Sequence, residues 1–239
     1  DTAPAGTSAA FSTTLYTGNS TDDTFIPSGI NNTSGKYLIW LKARTQSYNN
    51  VLYSELDGEI KYLISNLTYQ AGSAETQINS VSDNGFTIGT NGTINFSGID
   101  FVGWNFRAAP GFFDVVKFEG DSNITQRIDH ALETSVGAII VKPINNPGDW
   151  AVWHRDGGFD GAEHKSGFLN KPDSFDYYGD FPNDIDQSTY VTDSYFTARS
   201  SINKDGDPYI AYVFADNPTG GIKCGSWTGN SDSSPTQSI

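Results

Sequence analysis

Hydrophobic positions in this chain come in short bursts separated by turn residues, with no long helical stripe. Residues 11–16 and 50–55 read as short strands, and 86–89 alternates apolar and polar side chains with the period of two of a half-buried strand. Four thicker runs stand out: 37–42, 100–107, 138–142 and 209–214. Their β-branched and aromatic bias and small length suit central sandwich strands better than helices. Strands are also expected at 60–67, 78–82, 94–96, 115–118, 150–154 and 195–197. Gly18-Asn19, Asp57-Gly58, Asp83-Asn84-Gly85 and Asn91-Gly92 supply the turns between them. Many short strands with turns at this spacing predict an all-β, antiparallel sandwich.

The bursts recur in order. Leu15-Tyr16-Thr17-Gly18-Asn19 has a degraded counterpart in Lys117-Phe118-Glu119-Gly120-Asp121, 102 residues on, and another in Ser226-Trp227-Thr228-Gly229-Asn230. Lys42 and Lys142 end matching runs 100 residues apart, Phe86 and Phe196 lie 110 apart, and Phe106 and Phe214 lie 108 apart. This predicts two tandem antiparallel β-sandwich repeats: a linker at 1–10, repeats at 11–109 and 110–217, and at 218–239 the start of a further repeat or a tail. The jump in offset between Lys142 and Phe196 puts an insertion in the second repeat at 170–192.

Composition narrows the partners. Hydrophobic residues are 36% and aromatics 13%, enough for a core and unlike a disordered chain. A net charge of −14 speaks against nucleic acid and against an anionic membrane surface. No apolar run reaches the roughly 18 residues of a membrane-spanning helix. Cys224 is the single cysteine, which excludes an intrachain disulfide and a cysteine-cluster metal site. With no methionine, Asp1 is not an initiator, and the copy of the opening motif at Trp227 suggests an excerpt of a longer chain.

The ordered set Tyr16-Thr17-Gly18-Asn19, Leu38-Ile39-Trp40-Leu41-Lys42, the stretch from Lys61 to Thr68, Gly85-Phe86-Thr87-Ile88-Gly89 and Phe101-Val102-Gly103-Trp104 resembles a family of repeated β domains. In the second copy, the stretches from Gly148 to His154 and from Tyr209 to Phe214 are similar to the same family. Such domains occur in bacteriophage virion proteins, among them tail-fibre, baseplate and capsid-fibre components, including those of cyanophages. The resemblance implies a concanavalin- or laminin-G-like jelly roll used as a non-enzymatic virion building block. It would contact other virion proteins, a host-surface glycan or further copies of itself, and it would need no cofactor.

Candidate chemistry is sparse. His154-Arg155-Asp156 matches the kinase catalytic tripeptide, but nothing else of that set is present, so a polar strand end is the simpler reading. Asp205-Gly206-Asp207 and the acidic run from Asp173 to Asp186 offer oxygen ligands without the EF-hand spacing, and no metal site is expected. The insertion interleaves carboxylates with aromatics, a mixture suited to stacking on sugar rings and accepting their hydroxyl hydrogen bonds, or to gripping a protein. Asp176, Tyr177, Tyr178, Asp180 and Phe181 are its candidate partner- or glycan-binding residues. The alternative function is therefore a carbohydrate-binding, lectin-like module for host recognition, with a jelly-roll glycosidase behind it.

Overall fold

The thick apolar runs are strands with a hydrophobic core on each side. A computed structural model describes residues 10–124, 126–160, 163–181 and 190–227. Its first half holds β1 (Phe11–Thr17), β2 (Thr24–Pro27), β3 (Tyr37–Ala43), β4 (Val51–Leu56), β5 (Glu59–Ile64), β6 (Gly72–Ser73), β7 (Ile78–Val81), β8 (Gly85–Ile88), one helical turn α1 (Gly92–Asn95) and β9 (Asp100–Arg107). The second half holds β10 (Phe113–Glu119), β11 (Gln126–Asp129), β12 (Val136–Pro143), β13 (Ala151–His154), β14 (Phe159–Asp160), β15 (Glu163–His164), β16 (Ser166–Phe168), β17 (Tyr195–Ala198) and β18 (Pro208–Ala215). The protein is all-β, and every strand pairing is antiparallel.

Two large sheets, ordered β1-β9-β3-β4-β5-β6 and β10-β18-β12-β13-β16, lie at the centre. Outside the first lies the small sheet β2-β8-β7, and outside the second the pair β11-β17. Three cores separate these four layers. Tyr37, Ile39, Leu41, Val51 and Tyr53 meet Ile26, Phe86 and Ile88 in the first. Ile139, Val141, Tyr209, Ala211 and Val213 meet Ile128 and Phe196 in the third. Between them the two large sheets pack on each other: Leu38, Leu52, Leu56 and Leu63 meet Phe113, Val115, Trp150, Ile210 and Tyr212. Successive side chains of β3 and β18 thus enter different cores, and a strand buried on both faces reads as a continuous apolar run.

Polar groups at the central contact are paired across it. The Trp150 indole N–H donates to the carbonyls of Ile64 (3.0 Å) and Leu67 (3.1 Å). Tyr212 and Ser54 share a hydroxyl hydrogen bond of 2.9 Å. Lys142, fully buried, donates to the Thr68 and Pro143 carbonyls, and burial pushes its pKa down to about 8 against the pull of Asp149. The predicted boundary at 109–110 falls between β9 and β10, yet the residues on its two sides share this core. Ala10, expected in the linker, is buried in it, and residues 1–9 lie outside the described residues.

Strand pairing keeps the spacings read from the sequence. Leu41 faces Gly103 as Val141 faces Ala211, and Ile26 faces Phe86 as Ile128 faces Phe196. Tyr16 stacks on Phe101 at 5.2 Å, and Phe118 on Tyr209 at 5.2 Å. The glycine turns that follow share one device. Buried Asn95 accepts from Asn19 N–H (2.9 Å) and donates to the carbonyls of Thr21 and Gly89. Buried Asn203 accepts from Asp121 N–H (2.9 Å) and donates to the Asn123 carbonyl (2.7 Å). A side chain at Gly18 would strike the Phe96 carbonyl, and one at Gly120 the Lys204 carbonyl, which explains glycine at both places.

Three expectations change. Residues 94–96 are not a strand, because the Asn91 side chain accepts from Thr93 N–H (2.9 Å) and caps a helical turn. Strands β2 and β11 were not expected, since each has a single buried residue. Of 218–239, residues 218–220 form a 3-10 turn, Ser226 and Trp227 of the motif are described, and 228–230 lie outside the described residues.

Trp150→Ala should lower the unfolding free energy by about 3–5 kcal/mol, as a large core truncation that also frees two carbonyls. Denaturant titration should show one transition for the whole chain. A loss below about 1 kcal/mol, or two separated transitions, contradicts the shared core.

Candidate functional site

The insertion starts from a firm anchor. Asn170 accepts from the Trp150 N–H (2.8 Å) and donates to Asp149 (2.9 Å), which also takes an ion pair from Lys171 at 2.6 Å. The Lys171 ammonium lies 4.2 Å from the Phe168 ring centre, and the Tyr178 ring packs on Phe168 at 4.6 Å. Further on, Ser166 and Asp176 exchange backbone hydrogen bonds, laying the segment along edge strand β16.

This placement divides the five candidate residues. Phe181 is 2% exposed and belongs to the third core, so it offers no surface to a partner. Asp180, also 2% exposed, accepts from the N–H (3.2 Å) and hydroxyl (2.5 Å) of Ser201 and fixes the loop to the turn after β17. Burial raises the Asp180 carboxyl above its ordinary range, with the Ser201 hydrogen bonds opposing. Those two assignments are corrected: an acidic-aromatic pair that looked like recognition surface serves the interior. The Asp176 carboxylate caps the Tyr177 N–H (2.8 Å), and half-buried Tyr178 donates to the Ser174 carbonyl (3.2 Å). Tyr177 remains on the surface, 41% exposed. Asp184 and Asp186 lie outside the described residues.

Beside the insertion, the structure assembles a cleft that no single stretch of sequence announces. His154, Asp156, Gly157, Phe175, Gly225, Ser226 and Trp227 line an open cleft of about 410 Å³. Phe175 lies over Gly157 and Gly167, where added side chains would come within 2.9 and 2.7 Å of its ring. The opposite wall is fastened by Asp216, which accepts from the Cys224 N–H (3.1 Å) and pairs with Arg155 and Lys223. Burial opposes ionisation of Asp216, but these donors outweigh it and hold its carboxyl below the ordinary range. Gly137 makes room for this segment, since any side chain there would strike the Cys224 sulfur. His154 Nδ1 accepts from the Asp156 N–H (3.1 Å), which sets the ring at the mouth. The signals in the sequence were Phe175 in the insertion and the tryptophan of the third motif copy.

Other titratable groups are absorbed by the fold. His164 stacks on Trp153 at 5.1 Å and bonds the Lys165 carbonyl at 2.8 Å, and burial lowers its pKa. Asp207 accepts from Asn146 (2.7 Å), and among the described residues no three His, Cys, Asp or Glu side chains gather as a metal site. No helix among them is long and apolar enough to cross a membrane.

Fold and cleft together define an all-β protein of antiparallel sheets, consistent with a β-sandwich, with an aromatic cleft at one side. The chain belongs to a family described as a domain of unknown function, DUF7483, whose model matches residues 6–236 and so runs through both halves. No curated protein and no solved structure matches it.

Asp180→Asn keeps the acceptor for Ser201 and removes the buried charge. Because the folded carboxyl titrates above its unfolded value, the aspartate's ionisation weakens folding as pH rises through the folded pKa. The variant should be more stable than the parent at pH 7, and the gap should close as pH falls below the unfolded value of about 4. Thermal unfolding across that range checks it. A variant less stable at pH 7 contradicts the structural role given to Asp180.

Proposed function

We propose that the chain is a non-enzymatic virion component of a bacteriophage, built from two tandem jelly-roll-like sandwich repeats fused through their large sheets. The observation that carries this reading is the repeated register. Pairings in the second half reproduce those of the first at residue offsets of 102, 100, 110 and 108 along successive strands. The isolated bridge Val191↔Phe196 repeats the pairing Val81↔Phe86 as well. The same strands carry the motifs that resemble virion β domains. A four-layer slab whose central strands β3, β12 and β18 are covered on both faces suits a load-bearing building block. Edge strand β1 keeps Leu15 at 62% exposure and Phe11 at 38%, a surface suited to neighbouring virion proteins or to another copy of the chain.

A carbohydrate-binding module is the second reading, favoured by the exposed aromatic rings of Phe175 and Trp227 in one cleft. Mass spectrometry of gradient-purified phage particles encoding this chain tests the first. The chain should be present in the particle at a fixed copy number. Its absence from particles, or polysaccharide turnover by the purified chain that one Asp or Glu replacement abolishes, overturns the reading.

A further inference from the structure

We infer, resting on the second of these readings, that the cleft between Phe175 and Trp227 is a binding site for a neutral saccharide. Trp227 is 68% exposed and Phe175 36% exposed, and both line the same cleft. Two aromatic faces in one cleft offer a ligand apolar area whose removal from water favours binding. A pyranose ring presents an apolar C–H face to such rings and directs its hydroxyls outward.

The site is held in place. The Phe175 ring rests on the backbone of Gly157 and Gly167, and the Trp227 segment is tied through Cys224 to Asp216, whose side chain is 7% exposed. The Phe175 ring is therefore positioned before a ligand arrives, and the backbone leading to Trp227 is anchored three residues earlier, at Cys224, which lowers the ordering cost of binding. Hydrogen-bonding groups stand at the rim. The Asp156 carboxylate can accept from hydroxyls, and because His154 Nδ1 accepts from the Asp156 N–H, the neutral ring carries its proton on Nε2, which can donate to one. A volume of about 410 Å³ falls within the usual range for small-ligand sites, about 300–1,000 Å³.

Charge selects within the class. The chain carries a net −14, which opposes an anionic sugar on approach, while at the site the Asp156 carboxylate is offset by Arg155 Nε 3.8 Å away, so no cation among the described residues is left over there to hold an anion. A neutral hexose or N-acetylhexosamine unit of a longer glycan fits this lining. The site differs from the surface formed by Tyr177, which does not line the cleft.

Isothermal titration calorimetry of the full chain with cello-, xylo-, manno- and chito-oligosaccharides, and with oligogalacturonate as the anionic comparison, tests this. At least one neutral oligosaccharide should bind, and more tightly than oligogalacturonate. Trp227→Ala should weaken that binding about tenfold or more, as for an aromatic anchor. The thermal midpoint should hold, because the side chain is mostly in solvent, and Tyr177→Ala should bind as the parent does. Three results overturn the inference: no neutral saccharide bound at millimolar concentration, binding unchanged in Trp227→Ala, or binding lost in Tyr177→Ala alone.

Discussion

The contact between the two large sheets is the constraint on which the rest of the molecule depends. Each large sheet is apolar on both faces and would be unstable with either face in water. The small sheets cover the outer faces, and each inner face has only the other half to cover it. Trp150 shows how tightly this is arranged, since its ring fills the contact while its N–H satisfies two carbonyls of the opposite half. Lys142 shows the accompanying cost, a buried ammonium whose pKa falls to about 8 and whose donors are used on carbonyls from both halves.

Within each half, the local problem is how to turn the chain at the end of its first strand. The solution is a glycine with no room for a side chain, followed by backbone fastened to a buried asparagine more than seventy residues further on. Asn95 does this for Asn19, and Asn203 for Asp121. Asn19 and Asp121 differ as residues yet make the same contact, because at both positions it is made by the backbone N–H. What cannot change cheaply is the glycine or the distant asparagine, each surrounded by fixed main-chain atoms.

Much of the scaffold was legible because strand physics is local. Apolar runs at 37–42 and 209–214 read as central strands, which they are, although which strands they pair with was not legible. What escaped has a physical reason in each case. Strands β2 and β11 bury one side chain each, too few to produce a period. At 94–96 a side-chain cap at Asn91 decided between turn types that look alike in sequence. Double-sided burial was visible in the continuous runs, but not which sheet covered which face. The candidate site was less legible still. Asp180 and Phe181 carry the residue types of a recognition surface, and only a neighbour far along the chain, Ser201, makes the Asp180 carboxylate structural. The cleft joins residues near 155, 175 and 226, held together by Asp216 and by the space at Gly137.

Its placement follows from the same central contact. The cleft lies at the end of β13 and on the segment after β18, two strands whose positions are fixed by the shared core. Native-state hydrogen exchange tests that shared core most directly. Slow amides in β3 and β4 of the first half and in β12 and β18 of the second should exchange with one common opening free energy, equal to that of global unfolding. A set of amides confined to one half that opens at a distinctly lower free energy, while the other half stays protected, would contradict the account.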